Sequence, residues 1–307
     1  MPRAIILYEI DPSFGPNIIA EYYLKQKEKI SPAILKEFSD KHISKELFEA
    51  TIFKEDNRYF SKKIKTESLQ KENLYISFIL QEGEDIVSLK SIFENIEKKI
   101  VQNYTDDKNK MNKILQDALN SVLSLLQKLQ EPKIIKETIN ERTKKMLDDG
   151  KLTEARDLID LGEDVPEKLA AEVKLAEQFL IDAFYRKAKK SYLKAADLAE
   201  IIQEDEIASF LRNKGEQVGL FPDLLKERVT LNKQLEKIFN DIDISQIYLY
   251  NNLIEPIDKL IEIAHSFEDQ EFIENLTKLK QISQRAFRLA KELHESDEKI
   301  GEILKKF

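Results

Sequence analysis

The sequence contains no cysteine and no tryptophan, and it is poor in glycine, proline and histidine. The lack of cysteine excludes disulfides, thiolate zinc sites, iron–sulfur clusters and a thiol nucleophile. Only seven glycines and eight prolines interrupt 307 residues, of which 35% are charged. A chain with few helix breakers and a charged fraction above the usual quarter is typical of long helices.

The scarce glycines form no phosphate-binding loop. No Gly-x-Gly-x-x-Gly or Gly-x-x-x-x-Gly-Lys segment occurs, and Gly215 and Gly219 lack a following Lys-Ser or Lys-Thr. A Gly-x-Ser-x-Gly elbow is missing as well. The sequence therefore predicts no catalytic residues and no cofactor, and it favours a protein that is not an enzyme.

Histidine is too sparse to build an obvious metal site. The chain has His42, His265 and His294. Glu262 precedes His265 at the Glu-x-x-His spacing of di-iron helical bundles, but Lys291 occupies the matching position before His294. We therefore predict no metal site, and we expect histidines that are exposed or half-buried on helices.

Long apolar runs are also absent. No segment approaches the roughly 20 apolar residues that span a bilayer, and the first segment reaches Glu9 too early for a signal peptide. These features predict a cytoplasmic protein without a transmembrane segment. The formal net charge of −8 argues against a nucleic-acid partner, because the basic clusters at 62–65 and 186–190 alternate with apolar residues as solvated faces do.

The first 131 residues alternate between extended and helical patterns. A helix is predicted at 31–42, with Ser31 as its N-cap and Pro32 at its first position. Strands are predicted at 4–10, 18–24, 47–53, 58–64 and 74–80. Two later helices carry apolar faces from Leu89 to Ile100 and from Met111 to Leu129. The order β-β-α-β-β-β-α-α predicts an α+β domain at 1–131 with a five-stranded antiparallel sheet.

This element order and hydrophobic pattern resemble the longin fold, with profilin-like and roadblock-like folds as close alternatives. Longin-like modules occur in vesicle-trafficking machinery, and several of them bind or regulate small GTPases. The resemblance implies a small GTPase or another longin- or roadblock-type protein as the partner, and peripheral membrane association through partners. It also implies binding through the helix at 31–42 and the adjacent strand edge, where the candidates are Lys36, Ser39 and Asp40.

From Pro132 onward the strand patterns disappear, and the sequence predicts an α-helical domain at 132–307, with helices of 10 to 25 residues. The segment from Leu169 to Gln203 resembles a tetratricopeptide repeat (TPR). Its matching positions are Leu175, Ala176 and Phe179 in a first helix and Ala188, Tyr192 and Ala195 in a second. A partial copy surrounds Ala155, and later helices are predicted at 223–238, 246–265 and 272–304.

Together these features predict a non-enzymatic adaptor or scaffold. Its helical domain would bind a second protein, and Lys189, Lys190 and Lys194 are the candidates for contacting an acidic partner. The alternative is a homo-oligomeric structural protein that dimerises through the apolar seam from Met111 to Leu129, whose spacing alternates between four and three. A longin-like module followed by helices resembles proteins of archaea that carry many small GTPases.

Overall fold

The computed structural model describes residues 2–11, 13–25, 29–54, 57–65, 73–81, 86–241 and 249–305. The chain divides into two compact units, Met1–Leu220 and Phe221–Phe307. The first unit contains a five-stranded sheet followed by helices. Among its described residues the second unit contains helices only. The predicted combination of an antiparallel sheet with a helical region is therefore confirmed.

The sheet of the first unit has the strand order β2-β1-β5-β4-β3, and all neighbouring strands are antiparallel. Its strands are β1 Ala4–Asp11, β2 Gly15–Tyr23, β3 Glu49–Lys54, β4 Asn57–Lys63 and β5 Leu74–Gln81. The central strand β1 is buried on both faces from Ala4 to Tyr8. This explains its almost continuous apolar sequence, because neither face meets water.

Helices cover both faces of this sheet. On one face lies α1, Pro32–Ser39, which the Ser31 side chain caps and whose Ile34, Leu35 and Phe38 pack in one core cluster with β1 and β5 residues. A π-helical turn, Asp40–Ser44, follows it. The other face is covered by α2, Ile86–Gln102, and α3, Lys108–Gln130.

The apolar seam of α3 is used inside the chain. Its described residues belong to the core shared with the sheet and α2, and five of them are buried: Met111, Leu115, Ala118, Val122 and Leu125. Asn112 on the same helix accepts a hydrogen bond of 2.9 Å from the backbone N–H of Glu21 on the edge strand β2. A dimer through this seam would require α3 to leave the core.

The helices that follow continue the same core. They are α4 Pro132–Asp148, α5 Leu152–Ile181, α6 Tyr185–Ile201 and α7 Asp205–Asn240. Helix α3 ends at Gln130 and α4 begins at Pro132, where the sequence places a domain boundary. One apolar cluster nevertheless runs from the sheet through to Val218. Separate domains at 1–131 and 132–307 stay a prediction.

Helices α5 and α6 meet at the small residues that suggested a repeat. Ala176, Ala188, Ala195 and Tyr192 are fully buried, so the two helices approach closely. Leu175 is 43% exposed and takes no part in this contact. The helix α5 is 30 residues long and continues through Pro166, and α7 continues through Pro222. The expected upper length of 25 residues is therefore wrong for both helices.

In the second unit, α9 and α10 pack against each other. The described helices here are α8 Leu249–Asn252, α9 Ile254–Ser266 and α10 Gln270–Leu304. The guanidinium of Arg228 donates to Asp269 at 2.8 Å and lies 4.1 Å from the centre of the Phe272 ring. The start of the predicted helix at 246–265 lies outside the described residues, and the one at 223–238 is part of α7.

Candidate functional site

The α1 candidates lie on the surface of the α+β region. Lys36 and Asp40 are exposed and Ser39 is half-buried. The Lys45 ammonium lies 3.6 Å from an Asp40 carboxylate oxygen. The residues face away from the buried side of α1, as the helical spacing predicts, so they are available to a partner.

Two of the three α6 candidates are engaged within the chain. The Lys189 ammonium donates to Glu216 at 2.6 Å, and Lys194 forms an ion pair with Glu172. Lys190 is exposed. These lysines therefore tie α6 to neighbouring helices, and an acidic partner would compete with the chain's own carboxylates.

The largest concave feature that we describe is a groove between α2, α3 and the start of α7, with a volume of about 390 Å³. We call it the α2–α3–α7 groove. Its floor consists of buried apolar residues: Ile92, Ile96, Ala118, Val122, Leu125 and Phe210. Its rim is polar and mostly exposed: Asn95, Lys99, Ser121, Asp205, Glu206 and Ser209. An apolar floor with a polar rim is the usual layout of a binding groove.

A buried carboxylate fixes the third wall of this groove. Glu204, which precedes α7, is 3% exposed, and its two oxygens accept hydrogen bonds of 2.8 Å from Lys128 and from Arg142. Arg142 also donates to the Gln203 carbonyl at 2.7 Å. Because Lys128 lies on α3 and Arg142 on α4, these bonds hold the beginning of α7 against both helices. Asp205 then follows directly at the rim.

Sequence reasoning missed this groove. The apolar spacing of α2 and α3 predicts which residues avoid water, and those residues are indeed buried. It does not tell which of them border a cavity, because the third wall comes from a residue far along the chain. Glu204 beside Glu206 is the only local signal, and in the sequence it has the pattern of a solvated acidic pair.

A polar network lies buried between the π-helical turn and the sheet. His42 Nδ1 lies 2.6 Å from the Leu47 carbonyl, and its Nε2 lies 2.9 Å from Ser61 Oγ. Tyr8 Oη lies 2.7 Å from the same Ser61 oxygen. Since a carbonyl can only accept, Nδ1 carries the proton, Ser61 donates to Nε2, and Tyr8 donates to Ser61. Every bond in this chain is thereby satisfied.

Burial lowers the pKa of His42 to about 4, helped by the positive charges of Lys63 and Lys41 and opposed by the bond to Leu47. Burial likewise raises the pKa of Tyr8. The expectation of exposed or half-buried histidines is wrong for His42, because the π-helical turn directs it inward. Ser61 is fully buried, so the histidine–serine pair holds the turn on the sheet and offers no accessible nucleophile.

Wider searches add three findings. Among the described residues, no group of three or more histidine or acidic side chains is arranged to hold a metal ion. None of the described helices combines the length and apolar content that a bilayer crossing requires. No protein-family model, curated protein or solved structure matches the chain.

Proposed function

We propose that this protein is a non-enzymatic adaptor or scaffold that binds a protein partner in the α2–α3–α7 groove. The observation that carries the proposal is the groove itself, with its apolar floor, polar rim and volume of about 390 Å³. A groove of this kind takes up the apolar side chains of a partner segment while its rim excludes water and sets orientation.

The class of partner is proposed from the architecture. The elements follow the order β-β-α-β-β-β-α-α, with only a π-helical turn added after α1. This order is the one that the longin resemblance implies, and it supports a small GTPase or another longin- or roadblock-type protein as the partner. Trafficking at a cytoplasmic membrane surface, through that partner, is part of the same proposal.

The rim adds chemistry to this choice. Asp205 and Glu206 are exposed carboxylates on one side of the groove, and Lys99 is the cation among its lining residues. A partner segment that presents an apolar anchor flanked by a basic residue would satisfy both the floor and the acidic rim. The exposed α1 residues Lys36 and Asp40 give the α+β region a second contact surface.

A binding experiment with two matched variants tests this proposal. Small GTPases from the source genome, each loaded with GDP or with a non-hydrolysable GTP analogue, are passed over the immobilised full chain. Ser121→Trp fills the rim of the groove, whereas Asn120→Trp places the same ring at an exposed position outside the groove lining. Because the natural chain has no tryptophan, each variant also carries one fluorescence reporter.

We expect at least one GTPase to bind in one nucleotide state. Ser121→Trp should weaken that binding about tenfold or more, in line with the loss of a central contact, and Asn120→Trp should leave it unchanged. Absence of binding to every GTPase in both states would remove this partner class. Equal binding by the two variants would remove the groove as its site.

A further inference from the structure

Helix α10 carries an apolar stripe that the rest of the chain, as far as the structure describes it, leaves uncovered. The residues of this α10 stripe follow one another at alternating spacings of three and four, which is heptad spacing. They are Leu279, Ile282, Ala286, Leu289, Leu293, Ser296, Ile300 and Ile303. All of its large members are exposed, by 37% to 65% of their surface. A continuous exposed line of leucine and isoleucine marks an interface, whereas single exposed residues do not.

The stripe faces away from the helix's own packing partner. Ile273, Leu276 and Ser283 are the buried side of α10, and Lys280 on that side forms an ion pair of 3.0 Å with Asp258 of α9. At 3.6 residues per turn, the stripe lies roughly opposite this side. From residue 291 to residue 300 every position is exposed, and a lone helical segment of this length is marginal in water. A second helix along the stripe would cover it.

The charges beside the stripe select what that second helix is. Arg285, Glu292 and Lys299 flank one side, and Asp297 flanks the other. Parallel pairing of two copies would place Glu292 beside Asp297 of the second copy, and like charges there repel. Antiparallel pairing brings each flank against the same flank of the other copy. Glu292 then faces Lys299 of the second copy, and the two-fold symmetry makes this pair twice.

We infer that α10 forms an antiparallel coiled coil with α10 of a second copy of this chain, with the two-fold axis between His294 and Glu295. In this register the core layers pair residues of the two copies as follows: Ala286 with Ile303, Leu289 with Ile300, and Leu293 with Ser296. The serine layer admits one polar group near the centre, which limits sliding of the register. The inference is independent of the proposed function, because it uses neither the groove nor the α3 seam.

Sedimentation equilibrium and light scattering on the full chain test the inference over a micromolar concentration series at low ionic strength. The natural chain should reach the mass of a dimer. Ile300→Asp places a charge in the core of the coiled coil and should give a monomer at all concentrations tested. Ile181→Asp changes an equally apolar residue, 79% exposed on α5, and should leave the dimer intact.

Charge exchange then tests orientation and register. Lys299→Glu turns both predicted pairs into repulsions and should weaken dimerisation about tenfold. Combining it with Glu292→Lys reverses both signs and should restore the natural dissociation constant. A monomeric natural chain would overturn the inference, and so would a monomer that co-sediments with phosphatidylcholine vesicles. A dimer that Lys299→Glu leaves unchanged would overturn the antiparallel register.

Discussion

Glu49 is a carboxylate on the edge strand β3 that two lysines hold in its charged form. Its oxygens lie 2.9 Å from the Lys62 ammonium of β4 and 2.7 Å from the Lys90 ammonium of α2, and only 11% of its side chain is exposed. Burial alone would raise the pKa, but Lys90 and Lys62 together outweigh that effect and lower it to about 2 from 4.5. The carboxylate therefore fastens an edge strand to both the sheet and a helix.

We expect Glu49→Gln to reduce the free energy of unfolding at pH 7 by an amount on the order of 3 kcal/mol. A depressed carboxyl pKa stabilises the fold above the unfolded pKa, and this contribution is lost as pH falls from about 4.5 to about 2. The difference between natural chain and variant should therefore shrink at pH 3. Urea denaturation at both pH values measures it. Glu141→Gln, at an exposed position on α4, should show little effect at pH 7.

His42 contributes a second pH dependence with its own range. Its folded pKa of about 4 lies below the ordinary 6.5, so the unfolded chain takes up a proton where the folded chain does not. Stability should fall as pH drops from about 6.5 towards 4, by an amount on the order of 3 kcal/mol, with no further loss from this group below that. Comparing urea midpoints at pH 7 and pH 5, His42→Gln should flatten the slope and the exposed His294→Gln should keep it.

At the scale of elements, the packing of α4 on α5 depends on the absence of a side chain at Gly162. A Cβ there would lie 2.9 Å from Cγ2 of Ile139, which is 1% exposed. Gly301 on α10 also lies within a helix, and a Cβ there would meet nothing within 4 Å. The two glycines thus separate a packing requirement from a helical preference.

We expect opposite effects from the same substitution at these sites. Gly162→Ala should destabilise the fold by about 1–2 kcal/mol, because overpacking the buried contact outweighs the gain in helix propensity. Gly301→Ala should stabilise α10 by about 0.5–1 kcal/mol. Thermal unfolding followed by circular dichroism measures both. A stabilising Gly162→Ala would show that α4 and α5 are spaced more widely.

The strands and the first helix could be predicted from sequence because local rules decide them. The predicted strands at 4–10 and 74–80 agree with β1 and β5 to within one residue, since uninterrupted apolar runs bounded by polar turns leave few alternatives. The continuous α5 could not be predicted, because Gly162 and Pro166 both favour a break locally and only packing overrides them. The groove likewise depends on contacts such as Lys128 with Glu204, which lie 76 residues apart.

At the scale of the whole molecule, the chain has two compact units with different cores. The apolar cluster that begins in the sheet ends at Val218, whereas Leu253, Ile257, Leu260 and Ile273 are buried in the second unit. The division falls at Leu220, inside α7, where no linker composition marks it. Two cores of this kind can open at different free energies.

Leu260→Ala should therefore act on one unit. Removing this fully buried side chain should cost about 2–5 kcal/mol. In hydrogen exchange followed by mass spectrometry, peptides from α9 should exchange faster, while peptides from β1 and β5 should keep their natural rates. Equal acceleration in all of these peptides would mean that the chain opens as one cooperative unit.

The bonds from Lys128 and Arg142 to Glu204 set the width of the α2–α3–α7 groove before any partner arrives. A wall fixed in this way is already in its bound position, so little conformational entropy is lost when a ligand enters. Selection among partners then rests on how well a rigid shape is filled, as in pre-organised complexes whose backbone hardly moves on binding. Differences in affinity between related partners should accordingly appear in the rate at which they leave.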